Sequence, residues 1–141
     1  MRVILFVAAD WANVTNDQKL NVMGIFNEIR AIKFPTRVPS MHLVVKLVPE
    51  LGESGQTRNL TVKLRDPDGN DMMAASAEIP VPEPQGGARP EINFILGLKD
   101  LVFPKAGPYQ FVAMIDKDFK GDLPIYIREV EAPQPAEGAK G

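Results

Sequence analysis

The sequence of 141 residues contains no cysteine and a single histidine, His42. The absence of cysteine excludes disulfide frameworks, thiolate metal sites and cysteine nucleophiles, and it fits a reducing compartment such as the cytoplasm. With one histidine, a single chain cannot bind a metal through a histidine pair, and a Ser-His-Asp triad would have to use His42. We therefore predict a cytoplasmic, non-enzymatic protein that has neither a cofactor nor a bound metal.

An excess of positive charge and a long apolar run are also missing. The chain has 16 basic and 18 acidic side chains, a net charge of −2, which offers no basic surface for nucleic acid or anionic lipid. No apolar run approaches the ~20 residues that a membrane helix needs. Residues 1–9 are largely apolar, but Asp10 and Trp11 follow at once. This start predicts a buried first strand rather than a signal peptide, and we expect neither nucleic acid nor a membrane as partner.

What the sequence does contain is a strand pattern. Thirteen prolines and eleven glycines separate short runs that are rich in valine and isoleucine, which favour pleated strands. Apolar and polar residues alternate most clearly in residues 41–48 and 59–65. Further strands are predicted over 71–79, 91–98, 109–115 and 123–130. Between them, residues 66–70 carry the signals of a turn, and residues 80–90 and 116–122 are predicted to be loops.

Residues 19–34 fit two interpretations. Their apolar residues recur at helical spacing, whereas Gly24 at mid-segment and a β-branched bias favour a strand, which we prefer. Seven to nine short strands without alternating helices predict an all-β fold, an immunoglobulin-like antiparallel β-sandwich. We expect one domain over residues 1–130. The tail, residues 131–141, has little to bury and is expected to be flexible.

Several stretches of the chain carry a recognisable signature. They are DQKLNVMGIF (residues 17–26) followed by Phe34-Pro35, LRDPDG (64–69), LVF (101–103) and GPYQF (107–111). With them the chain resembles a small, uncharacterised bacterial family of unknown function, over roughly residues 2–130. Gln18 stands where most sequences with this opening have glycine. The resemblance implies a β-sandwich, and it implies no functional residue, because the family carries no assigned activity.

Two acidic clusters raise the question of calcium. One lies within residues 66–71 and the other within 116–122, and aspartates at alternating loop positions are typical calcium ligands. Neither cluster has the EF-hand spacing. The number of strands between them places the two loops at opposite ends of the sandwich, about 30 Å apart at ~3.3 Å per residue. We therefore predict that they share no metal site and that the aspartates serve their own turns.

Two aromatic residues are the candidate binding residues. Trp11 follows the first strand and either closes the end of the sandwich or forms an exposed platform for a sugar. Phe119 lies in the polar segment DFKG (118–121), where it either anchors an interface or folds back over the end of the sandwich. His42 is predicted on the outward face of its strand, and no nucleophile is predicted beside it.

These observations favour a protein-binding or assembly module over an enzyme. Its partner would be another protein or a second copy of the chain, because open sheet edges can pair with a further strand. The alternative is a module that binds a small ligand or carbohydrate, in a form that could depend on calcium.

Overall fold

The computed structural model describes residues 1–133, and within them the chain forms nine β-strands and no helix. The strands are β1 (Arg2–Val14), β2 (Leu20–Phe26), β3 (Glu28–Ala31), β4 (Thr36–Val48), β5 (Thr57–Arg65), β6 (Asp71–Pro80), β7 (Ile92–Phe103), β8 (Gly107–Ile115) and β9 (Asp118–Glu129). The all-β prediction is confirmed.

The strands form two sheets that pack face to face. The four-stranded sheet has the order β2-β1-β4-β7, and the five-stranded sheet has the order β3-β9-β8-β5-β6. Neighbouring strands are antiparallel except β3 and β9, which are parallel. The inner faces of both sheets supply one apolar core. This is the immunoglobulin-like sandwich that the sequence predicts.

The start of β8 packs against the end of β7 in the opposite sheet. The ring of Tyr109 meets that of Phe103 edge to face, with 4.9 Å between centroids. The Tyr109 hydroxyl donates a hydrogen bond of 2.8 Å to the carbonyl of Lys105, four residues upstream. Such a tyrosine corner is a feature of immunoglobulin-like sandwiches. Phe111 follows two residues later on the same face and is fully buried.

Residues 19–34 form strands rather than a helix, as preferred, because they contain all of β2 and all of β3. The chain passes from one sheet to the other at Asn27, whose carbonyl accepts a hydrogen bond of 2.8 Å from the Tyr126 amide. Phe26 and Ile29, on either side of this switch, both pack on the core. The change of sheet breaks the period of two, so the apolar spacing imitates that of a helix.

The predicted loop over residues 116–122 is wrong beyond its first two residues. Asp116 and Lys117 alone form the turn, with φ values of 49° and 76°, and pairing resumes at Asp118. Two consecutive positive φ values match the right-handed twist of a hairpin, which allows a turn this short. Strand β7 also runs past its predicted end, and at Asp100, with a φ of 54°, its core-facing side shifts from Leu98 to Leu101.

The described chain ends shortly after β9. Residues 131–133 have no strand structure. The remainder of the predicted tail, residues 134–141, lies outside the described residues. Within residues 1–133 there is no helix with the length and apolar character needed to cross a bilayer.

Candidate functional site

Strand β1 leaves the four-stranded sheet after Ala9, which is the last of its residues to pair with β4, opposite His42. A straight continuation of β1 would bring Val14 to the level of Val102 in β7. Val14 instead lines an open cleft of about 610 Å³ together with Asn93, which lies near the start of β7. Asn93 and Val102 are about 30 Å apart along the strand at ~3.3 Å per residue. The hairpin formed by β1 and β2 therefore folds back across the outer face of the sheet.

Both strands of the hairpin bend at Asp10 and Gly24. These two residues face one another between the pairs Ala9–Ile25 and Trp11–Met23. Gly24 has a φ of 71°, a conformation that side chains disfavour. The Asp10 carboxylate occupies the space that a side chain at position 24 would need. Glycine is therefore favoured here, first by its backbone conformation and then because a side chain would have to displace the Asp10 carboxylate. We call residues 10–24 the hairpin arm.

A small apolar cluster lies under the hairpin arm, apart from the main core. Val44 and Ala9 are both 0% exposed although they belong to the outward side of the sheet, and Ala12 in the arm is also buried. His42 is on the same outward side, as predicted, and its Nδ1 lies 3.2 Å from the Asp10 carbonyl oxygen. The arm is thus packed on the sheet rather than extended into solvent.

The opposite side of the hairpin arm carries an exposed apolar pair, Trp11 and Met23, and a third exposed apolar residue, Ile25, lies at the base of the hairpin opposite Ala9. Trp11 is 46% exposed, and Met23 and Ile25 are each 62% exposed. Trp11 lies directly opposite Met23, which places the two side chains on the same face of the hairpin. We call these three residues the hairpin patch. The exposure of Trp11 also shows that it does not close the end of the sandwich.

The second predicted binding residue lies elsewhere. Phe119 is 62% exposed and pairs with Met114 on the outer face of the five-stranded sheet. It does not fold back over the end of the sandwich. Because Trp11 belongs to the four-stranded sheet, the two aromatic residues do not form one site.

The two acidic loops lie at opposite ends of β5, as predicted. Arg65, at one end, pairs with Gln110, and Leu60, near the other end, pairs with Ile115, just before the second loop. Asp66 Oδ1 accepts hydrogen bonds of 2.9 Å from the amides of Asp68 and Asn70 within its own turn. Across residues 1–133, no three histidine, aspartate or glutamate side chains are grouped to hold a metal ion. Asp66 therefore acts within its own turn, whereas Asp71 binds Arg65 and Asp116 binds Arg58 on β5.

The most buried charges lie at the end of the sandwich where β5 begins. Glu53, 6% exposed, accepts hydrogen bonds from the α-amino group of Met1, from the Glu50 amide at 2.8 Å and from Arg58 Nε at 3.0 Å. Arg58 also binds Asp116, with 3.0 Å between Nη1 and Oδ2. Each charge therefore has a partner of opposite sign.

These contacts set the protonation of both carboxyl groups. Burial alone would raise the pKa of Glu53, but its hydrogen bonds with the Met1 amine, the Glu50 amide and Arg58 lower the pKa overall. The pKa of Asp116 is lowered first by the Asn59 amide and then by Arg58. Both carboxyl groups are therefore ionised at neutral pH.

Sequence reasoning missed Met23 and assigned Ile25 to an ambiguous segment. Their placement depends on the hairpin register, which follows from the turn after β1. Thr15 donates its amide to the Lys19 carbonyl at 2.8 Å and closes that turn. The polar run TNDQK (15–19) is the signal that could have located the turn and hence the pairing of Trp11 with Met23.

The comparison with protein families identifies the chain. Residues 4–128 match the profile of a family of unknown function (DUF6941), and the chain belongs to this family. The match confirms the expectation of an uncharacterised family. No curated protein shows significant similarity to the sequence.

Proposed function

We propose that the protein is a non-enzymatic protein-binding module that docks its partner on the hairpin patch. The observation that carries this proposal is the exposure of Trp11, Met23 and Ile25 on a hairpin that is fixed over the outer face of the sheet. Large apolar side chains that share an exposed surface are typical of interaction sites. Tryptophan and methionine are also enriched in interfaces.

The construction of the hairpin supports this role. The bend in the hairpin depends on the positive φ of Gly24 and on the close approach of Asp10 to it. On the inner side of the hairpin, Ala12 is buried. Folding alone gains little by exposing Met23 and Ile25 in such an arrangement. A preorganised surface lowers the entropy cost of association, since the side chains need not be ordered at the moment of binding.

A non-catalytic role fits the chemistry of the polar groups. His42 is half-buried and directs Nδ1 at a backbone carbonyl. The buried carboxylate of Glu53 is bound by cations, and Asp66 is bound by amides of its turn. These groups are occupied in structural contacts, whereas catalysis needs a nucleophile and a base that face a substrate.

The test is affinity capture from lysate of the source organism, using the full chain and two variants. We expect a stoichiometric partner that is lost with the double variant Trp11→Ser and Met23→Ser. Phe119→Ser is the matched control, because it removes an equally exposed apolar side chain from the other sheet. A partner that survives the double variant would overturn the proposal, as would a chain that captures nothing.

Carbohydrate binding is a second candidate, supported by one observation. Beside Trp11 and Met23, the next pair on the same face of the hairpin is Asn13 and Asn21, whose amides are hydrogen-bonded at 3.1 Å. An aromatic ring next to amides can stack on a sugar and bind its hydroxyls. In that case Trp11→Ala abolishes binding on a glycan array, whereas Ile25→Ser, in a neighbouring pair without amides, leaves it unchanged.

A further inference from the structure

A second surface, independent of the hairpin patch, lies at the edge formed by β7. In the described part of the chain, β4 is the only neighbour of β7, so its other edge is unpaired. An unpaired edge presents a row of backbone donors and acceptors that another strand can bind. Ile92, Phe94 and Leu96 of this strand pack on the core but remain only half-buried.

Two of the other three edge strands of the described sandwich, β3 and β6, discourage pairing. Strand β3 has only four residues, a length that limits pairing with another chain. Strand β6 carries an acidic residue near each end, Asp71 and Glu78. Strand β6 has no basic residue, so two β6 strands cannot pair opposite charges with one another. These two edges therefore resist pairing with a second copy.

The sequence of β7, in contrast, favours pairing with a second copy. Residues 92–98 carry neither charge nor proline, and they are flanked by Glu91 on one side and Lys99 on the other. When two such strands pair antiparallel about Ile95, Glu91 of each copy lies opposite Lys99 of the other. Glu91 and Lys99 are both exposed.

We propose that two copies of the protein pair through β7 about a two-fold axis at Ile95, which joins their four-stranded sheets into one. The pairing also matches apolar residues on the inner face, where Phe94 lies opposite Leu96 of the other copy and Ile92 lies opposite Leu98. A two-fold interface repeats each contact, so a self-complementary sequence is required for it. The proposal does not rest on the hairpin patch.

Both ends of the pairing segment are defined by the backbone. Pro90 has no amide hydrogen to donate, and at Asp100 the φ of 54° redirects the strand. Asn93 lies between these limits on the outward side, and its buried Oδ1 has no hydrogen-bond partner within the described residues. In the proposed register Asn93 faces Gly97 of the second copy, where no side chain obstructs its amide.

The test is analytical ultracentrifugation of the full chain at increasing concentration. We expect a dimer whose dissociation constant rises at least tenfold with Lys99→Glu, because two opposite-charge pairs become two like-charge pairs. Lys99→Glu leaves the 2.9 Å ion pair between Lys46 and Glu91 in place. The double variant Glu91→Lys and Lys99→Glu should restore dimerisation. Lys120→Glu, an exposed reversal on β9, is the control.

A cross-link provides a second readout that does not depend on charge. The chain has no cysteine, so Ile95→Cys introduces the only thiol. Residues opposite one another at the centre of an antiparallel pair have Cα atoms ~4.5–5.5 Å apart, within the range of a disulfide. We expect a covalent dimer under mild oxidation, and none with Ser76→Cys on β6.

Three outcomes would overturn the proposal. They are a chain that stays monomeric at every concentration, a dimer that Lys99→Glu leaves intact, and a failure of Ile95→Cys to cross-link while the variant remains folded by circular dichroism. A dimer that is lost with Trp11→Ser and Met23→Ser, but kept with Lys99→Glu, would place self-association on the hairpin patch instead. If the β7 interface fails, capture of a different protein by the hairpin patch is unaffected.

Discussion

The two sheets of the sandwich differ in what their outer faces present to solvent. On the five-stranded sheet, the outward side of β5 carries Lys63 and Arg65, both bound to Asp71 of the neighbouring strand. The four-stranded sheet instead carries the hairpin arm, with Trp11 and Met23 exposed side by side. Charged side chains that pair with one another are stable in contact with water. Exposed apolar side chains, in contrast, contribute favourable free energy only when another surface removes them from water. The five-stranded sheet also exposes Phe119 and Tyr126, so what sets the four-stranded sheet apart is the exposed pair of Trp11 and Met23, on which the proposed recognition role rests.

The largest expected effect tests whether stability resides in the shared core rather than under the hairpin arm. Phe111→Ala removes a fully buried ring from β8 and should lower the free energy of unfolding by about 3–5 kcal/mol. Val44→Ala removes two methyl groups from the cluster under the arm and should cost less, about 1–2 kcal/mol. Urea denaturation of both variants measures the difference. Equal losses would show that the arm is as integral to the fold as the core.

The sequence predicts the strands best where the side chains of a strand alternate between the core and the solvent. Strand β5 alternates cleanly because one of its sides faces the core throughout its predicted part. Strand β4 alternates likewise except at Val44 and Val48, which are buried on the outward side. The prediction weakened where the chain changes sheets, as at Asn27, or bends, as at Asp100, because each such residue shifts the alternation by one.

The candidate site could be predicted from the sequence less completely than the fold. Trp11 could be named as a candidate, but its neighbour Met23 is twelve positions away along the chain, and only the hairpin register brings them together. The return of the hairpin arm across the sheet depends on the backbone conformation at Gly24, and a glycine in a sequence does not reveal the sign of its φ. The cluster of Glu53, Arg58 and Asp116 likewise joins a loop, a strand and a turn by tertiary contact alone.

A smaller effect is expected from acid. The pKa values of Glu53, Asp116 and Asp71 are all lowered in the folded protein. Each ionised carboxylate therefore stabilises the fold at neutral pH, and this contribution is lost as the pH falls below the ordinary pKa values of 4.5 for glutamate and 3.8 for aspartate towards the lowered ones. We expect the urea midpoint to be nearly constant between pH 7 and pH 5 and to fall below that range.

The variant Arg58→Met sharpens this expectation. It removes the cation shared by Glu53 and Asp116, so it should lower the midpoint at pH 7 more than at pH 3. Arg128→Met is the matched control, since the exposed Arg128 binds the half-buried Glu28 at 2.9 Å near the edge of the same sheet. An Arg58→Met curve parallel to that of the parent chain would mean that the buried cluster does not cause the acid sensitivity.

The smallest expected effect on stability is the most informative about function. Trp11→Ser and Met23→Ser together remove two exposed apolar side chains from the hairpin patch, and surface changes of this kind usually alter the free energy of unfolding by no more than about 0.5 kcal/mol each. Binding of the partner should nevertheless be lost, because exposed aromatic and apolar anchors dominate interface energies. Urea denaturation and affinity capture on the same double variant separate the two effects. A loss of several kcal/mol would instead show that the patch packs against the protein itself, and the contrast between the outer faces of the two sheets would fail.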